Sequence, residues 1–153
     1  MKKDLQEDAT GLDRAVQSFL GFVRSLPPGG LGTSETEPWG PREVLIHLVF
    51  WHEQYATLAA APAANASPTP LKGTIDQINR AAVFGCAQVP VEELAARWEA
   101  AQIALDRIDQ GAAAHRLSFP LRQGAKAWRL PDLLRIATRH IQNHQAKLAK
   151  SAR

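Results

Sequence analysis

Residues 130–150 read "LPDLLRIATRHIQNHQAKLAK", and the fold turns on how that stretch is read. Leu133, Leu134, Ala137, Ile141 and Leu148 recur at three- to four-residue spacing, the period of one helix face. Pro131 falls in the first turn, where a missing amide proton costs nothing, and Asp132 suits the positive start of the helix. His140 and His144 lie on the same stripe. A face that ought to be core therefore carries two imidazoles one turn apart. They are either packed histidines satisfied by neighbouring polar atoms, or two ligands whose nitrogens share one ion at about 2.0–2.1 Å.

Working outward, the same period predicts a helix over about residues 3–25, on Leu5, Leu12, Val16, Phe19, Leu20 and Val23. The "LPPGG" at 26–30 ends it, and "LGTSETEPWG" at 31–40 reads as a polar loop. A second helix should start at Pro41 and run to about residue 60, burying Val44, Leu48, Trp51, Tyr55 and Leu58. His47 and His52 fall on opposite shoulders of that stripe, roughly 140° apart, too far round the helix to share an ion. "APAANASPTP" at 61–70 is a linker, and "GTIDQINRAAVFGCAQ" predicts a helix capped by Thr74. Helix resumes in "PVEELAARWEAAQIALDRID", burying Val91, Leu94, Trp98, Ala101, Leu105 and Ile108; Pro90 either kinks one long helix or separates two. Residues 110–130 have no helical period and hold two glycines and a proline, so they predict a long connection with room for a short strand pair. The reading is all-α: one domain over residues 1–153, a four-helix bundle whose loops are long enough for crossover connections.

Bulk properties narrow the function. A chain of 153 residues with 45% hydrophobic and 22% charged residues can bury a core without disulfides or a structural metal, so a metal here would serve chemistry. No run approaches the roughly 18 apolar residues a membrane span needs, and acidic residues stand where a secretory signal would be apolar. The lone Cys86 fits a reducing cytoplasm and reads as a small buried residue more readily than as a nucleophile. Residues 111–153 carry nine Lys/Arg against one acid, whereas residues 1–110 carry nine against fourteen. Such a basic C-terminal part attracts an anion or simply complements a helix end; with no aromatic interleaving or nucleic-acid motif, no nucleic-acid partner is expected.

His47, on the core shoulder of the second helix, changes the weight of the pair. Ligand sets in bundles come from inward positions of facing helices, and three neutral imidazoles leave a coordination position for water or substrate. At these residues "EPWGPREVLIHLVFWHEQY" and "HIQNHQAKL" resemble the DinB/YfiT-like superfamily of four-helix-bundle proteins. The pattern Trp39, His47, His140 and His144 carries the resemblance at both ends of the chain. "LIHLVFWHEQY" and "IDQINRAAVFGCAQVPVEELAARWEAA" are also similar to the ClbS/DfsB branch, some of whose members depart from the full triad. The resemblance implies a divalent ion, zinc or nickel, held by His47, His140 and His144. It further implies thiol-dependent transfer or isomerisation, or, from the ClbS-like branch, hydrolysis of a reactive toxin.

Other residues enter as candidates for the pocket or for support behind the ligands. Glu43 stands four residues before His47, where it could accept from the other ring nitrogen. Trp51 and Trp128 are candidates for the wall, His52 for the rim, and Arg139 for an anionic group. His115 belongs to the long connection and reads as a surface residue. Three functions follow: a metal-dependent hydrolase or thiol transferase acting on a small electrophile, a metal-independent ClbS-like hydrolase or toxin-sequestering protein, and a non-enzymatic stress or ligand-binding bundle, with a homodimer open in each case.

Overall fold

The structure, a computed structural model, describes residues 2–27, 29–30, 39–109, 111 and 113–151. The elements are α1 (Lys2–Ser25), α2 (Pro41–Ala60), α3 (Ile75–Cys86), α4 (Val91–Asp109), the strands β1 (Ser118–Pro120) and β2 (Ala127–Arg129), and α5 (Leu130–Ser151). Helix starts follow local chemistry. The Gly40 amide donates to Glu43 Oε2 at 3.1 Å ahead of α2. At α3, Thr74 Oγ1 accepts from the Gln77 amide at 3.1 Å while Gln77 Oε1 accepts from the Thr74 amide at 2.9 Å, a reciprocal capping box. Pro90 separates two helices rather than kinking one, since α3 ends at Cys86 and α4 begins at Val91.

The four long helices α1, α2, α4 and α5 form the expected bundle, and the shorter α3 packs on the outside of α2. Helix α2 packs most extensively on α4, and α1 on α5, with α1 also touching α4; α2 meets α5 over a much smaller area. Going round the bundle, the order is therefore α1, α4, α2, α5. Helices α1 and α2, consecutive in the chain, stand across a diagonal, and so do α4 and α5. The long links at 26–40 and 110–129 are what that arrangement requires.

At the centre, Phe19 of α1 and Trp98 of α4 meet edge to face, their ring centroids 5.6 Å apart and both side chains fully buried. Arg97 ties α4 to α2 through a bidentate pair with Glu53, both bonds 2.8 Å. The polar loop expected at 31–40 lies outside the described residues except for Trp39 and Gly40. The strand pair does form, antiparallel with Phe119 opposite Trp128. The 61–74 linker docks on its turn, for the Leu71 amide donates to the Leu121 carbonyl at 3.1 Å and the Gln123 amide to the Leu71 carbonyl at 2.8 Å. This contact brings Leu121 to the open seam between α2 and α5. Cys86 is half-buried, with an Arg97 guanidinium nitrogen 3.6 Å from its sulfur. Among the described residues no helix is long and apolar enough to cross a membrane.

Candidate metal centre

The thin α2–α5 seam holds the histidines. Helix α2 presents buried His47 from one shoulder, and α5 presents His140 and His144, both half-buried, one turn apart. His47 Nε2 lies 3.2 Å from His140 Nε2, which lies 2.9 Å from His144 Nε2. One ligand atom from each of the three falls within 4.8 Å of the others. Nitrogens held at about 2.0–2.1 Å around one tetrahedral ion stand roughly 3.3 Å apart. Two of the three nitrogen pairs, at 3.2 and 2.9 Å, are close to that spacing.

Their protonation fits as well. Burial first, and then the neighbouring imidazoles, push His47 down to about 3, partly offset by its hydrogen bond to Asn79. Burial, His140 and Lys147 push His144 down to about 4, and burial with Lys147 lowers His140. All three are neutral at pH 7, the form a metal needs. His47 Nδ1 donates to Asn79 Oδ1 at 3.0 Å, which keeps its Nε2 lone pair turned to the cluster. The same Asn79 oxygen accepts the Trp51 indole N–H at 2.7 Å.

A cavity of about 580 Å³ opens over the cluster. Trp39, Val44, Trp51, Tyr55 and Leu121 wall it, with Asn79 of α3 on one side and Lys147 and Ser151 of α5 on the other. The Trp39 ring lies 5.7 Å from that of His47. This combination of apolar walls and a few convergent polar groups is that of a small-molecule site.

Of the remaining sequence candidates, Trp51 lines this cavity and the others do not. Glu43 is only 2% exposed and is engaged with the start of α2, so the acceptor behind His47 is Asn79 instead. His52, 1% exposed, is sealed against α4, its Nε2 2.8 Å from Gln102 Oε1. It is a core residue because its shoulder of α2 faces the closed seam. Trp128 and Arg139 line a separate cavity of about 430 Å³ with Lys126, Arg129, Asp132 and Arg135; Lys126 Nζ sits 4.3 Å over the Trp128 ring. His115 is in a short 3-10 turn beside Arg116, away from the cluster. Sequence reasoning missed Asn79, Trp39 and Lys147. Lys147 had a signal, being three residues after His144 on the same helix face, whereas Asn79 reaches the site only through the packing of α3 on α2.

A helical bundle with a histidine cluster in its open seam defines the class, and comparison supplies the family. The family model of the DinB superfamily matches residues 11–148, so the chain belongs to that superfamily. Among solved structures, a mycothiol-dependent maleylpyruvate isomerase superposes with a TM-score of 0.71 at 15% identity, over 94% of this chain and 60% of its own. A histidine-to-alanine mutant of that isomerase gives a TM-score of 0.71 at 13% identity, with the same coverage. This chain thus spans about 60% of the length of those structures. A comparison with curated sequences returned no significant match.

Proposed function

We propose that this protein is a metal-binding member of the DinB superfamily and an enzyme acting on a small electrophilic or thiol-conjugated molecule, with all 153 residues forming one domain. The convergence of three neutral imidazole nitrogens at the floor of a cavity carries this reading. His47, His140 and His144 would hold the ion, zinc or nickel being among the metals that imidazole ligands suit. When bound there, such an ion supplies Lewis acidity to a thiol, a water or a carbonyl placed in the cavity. Asn79 orients His47, while Trp39, Trp51 and Tyr55 line the cavity with aromatic surface. The thiol dependence in the name of the structural neighbour belongs to that protein, and it makes small thiols the first co-substrates to offer.

The test is elemental analysis of untagged protein, wild type against the His140→Ala/His144→Ala double variant. The expected result is close to one equivalent of zinc or nickel in wild type and none in the variant. A wild type that stays metal-free after incubation with both ions would overturn the reading and leave the three histidines as mutually hydrogen-bonded packing residues.

A further inference from the structure

Among the described residues that line the 580 Å³ cavity, Lys147 is the one charged side chain and there is no carboxylate. It stands three residues after His144 and seven after His140, on the face of α5 that carries both imidazoles. Several cations elsewhere in the bundle have acidic partners, Arg24 with Glu92, Arg97 with Glu53 and Arg135 with Asp132. Among the described residues Lys147 forms no ion pair. The basic cavity on the outside of α5 differs, since Asp132 answers Arg129 and Arg135 there. Three neutral imidazoles add no charge, so a divalent ion held by them keeps both of its positive charges. Among the described residues nothing then offsets the two charges of the ion and that of Lys147, and the apolar walls weaken screening by water around the ion.

We infer that the cavity takes a small organic anion with an apolar, aromatic body, its acidic group lying between the imidazole cluster and Lys147. Trp39, Trp51 and Tyr55 supply stacking and contact surface for the ring. Asn79 already accepts two hydrogen bonds on Oδ1, which leaves its Nδ2–H groups as further donors to the anion. Two of the three charges rest on the metal reading, and Lys147 is independent of it.

The probes are 2-naphthoate and its neutral counterpart 2-naphthamide, titrated by calorimetry into zinc-loaded and metal-stripped protein whose metal content is measured alongside. Wild type, Lys147→Met and Lys147→Arg are compared; the lysine is exposed, and melting temperatures check that each variant is folded. In the zinc-loaded wild type, naphthoate should bind at least about tenfold more tightly than naphthamide; Lys147→Met should reduce that ratio about fivefold at unchanged zinc content, and Lys147→Arg should keep it. Equal binding of the two probes, or a preference that Lys147→Met does not reduce, would overturn the proposal while leaving a measured zinc site standing. Should no metal bind at all, the metal reading fails separately. A naphthoate preference that Lys147→Met removes from the metal-free protein then still supports the anion site, and its absence there overturns it.

Discussion

Helix α2 carries a histidine on each shoulder, and the two meet opposite kinds of seam. Toward α4 the helices pack closely, and His52 is sealed beside Trp98 with its ring nitrogen on Gln102, which in turn donates to Asp106 at 2.9 Å. Toward α5 the contact is thin, and His47 looks across a cavity at two further imidazoles. Both rings are held neutral, His52 mainly by burial, which pushes it down to about 4, and His47 by burial reinforced by its neighbours, down to about 3. The difference is in the partners. His52 faces an amide oxygen suited to one N–H, whereas His47, His140 and His144 turn Nε2 atoms toward one another, an arrangement in which some nitrogen always lacks a proton to share. Depth of burial alone does not separate a structural histidine from a ligand; the chemistry of the group opposite does.

The most direct way to break this contrast is to delete one ring on each side of α2 in metal-free protein and measure stability in urea. His52→Ala removes a fully buried ring and orphans Gln102 in the α2–α4 seam, and should cost about 3 kcal/mol. His144→Ala opens an already half-exposed edge of the cavity and should cost less than about 1 kcal/mol. Equal losses would mean that the α2–α5 seam is ordinary core.

Acid sharpens the same contrast. His52 has a folded pKa below its unfolded value, so the unfolded chain binds more protons, and the stability due to the neutral ring is present above pH 6.5 and lost as pH falls toward 4. The groups around it are Gln102, Tyr55, Trp98, Glu53, behind Gln102 Asp106, and across a small void His140 of α5; Glu53 is paired with Arg97. Between pH 7.5 and 4.5 wild type should lose about 2–3 kcal/mol more than His52→Gln, which keeps a neutral polar group but has nothing to titrate. Parallel stability curves for the two proteins would show that His52 is not the sealed, neutral residue the packing describes.

Much of this could be read from the sequence. The helical period located the four long helices to within a residue or so of their ends, because each buries one apolar stripe, and Pro41, Thr74 and Pro90 act through local backbone chemistry. Placing His47 and His52 on opposite shoulders needed only the angle per residue, and the structure sends them to different seams. Contacts set by tertiary packing were not legible. Trp39 entered only as part of a resemblance and Trp128 as a wall of the site, yet the first lines the cavity over the histidines and the second lies on the hairpin outside α5. Glu43 had the right spacing for His47 along α2, but a glutamate at the third helical position is drawn back to the amide ahead of the helix. Nothing in the spacing of α3 announces that Asn79 will meet His47, since 32 residues and a linker separate them.

Asn79 therefore gives the finest test of the contrast, because it gives His47 the kind of partner that Gln102 gives His52, while leaving Nε2 free for the cluster. Its oxygen takes the proton on His47 Nδ1 and the indole proton of Trp51, so it fixes a ring angle and a tautomer without touching the ion position. Asn79→Leu should weaken zinc binding by about 10–100-fold, read by competition with a chromophoric chelator, since loss of such a partner frees the ring to rotate and its tautomer to change. Asn79→Asp restores an acceptor and should hold zinc at least as tightly as wild type, which a purely structural role for Asn79 would not produce. Glu43→Gln, a change at the helix start, should leave zinc affinity within about threefold while shifting the melting temperature. If Asn79→Leu and Asn79→Asp lose zinc equally, Asn79 acts by packing α3 on α2. The free nitrogen of His47 would then be set by the cluster itself.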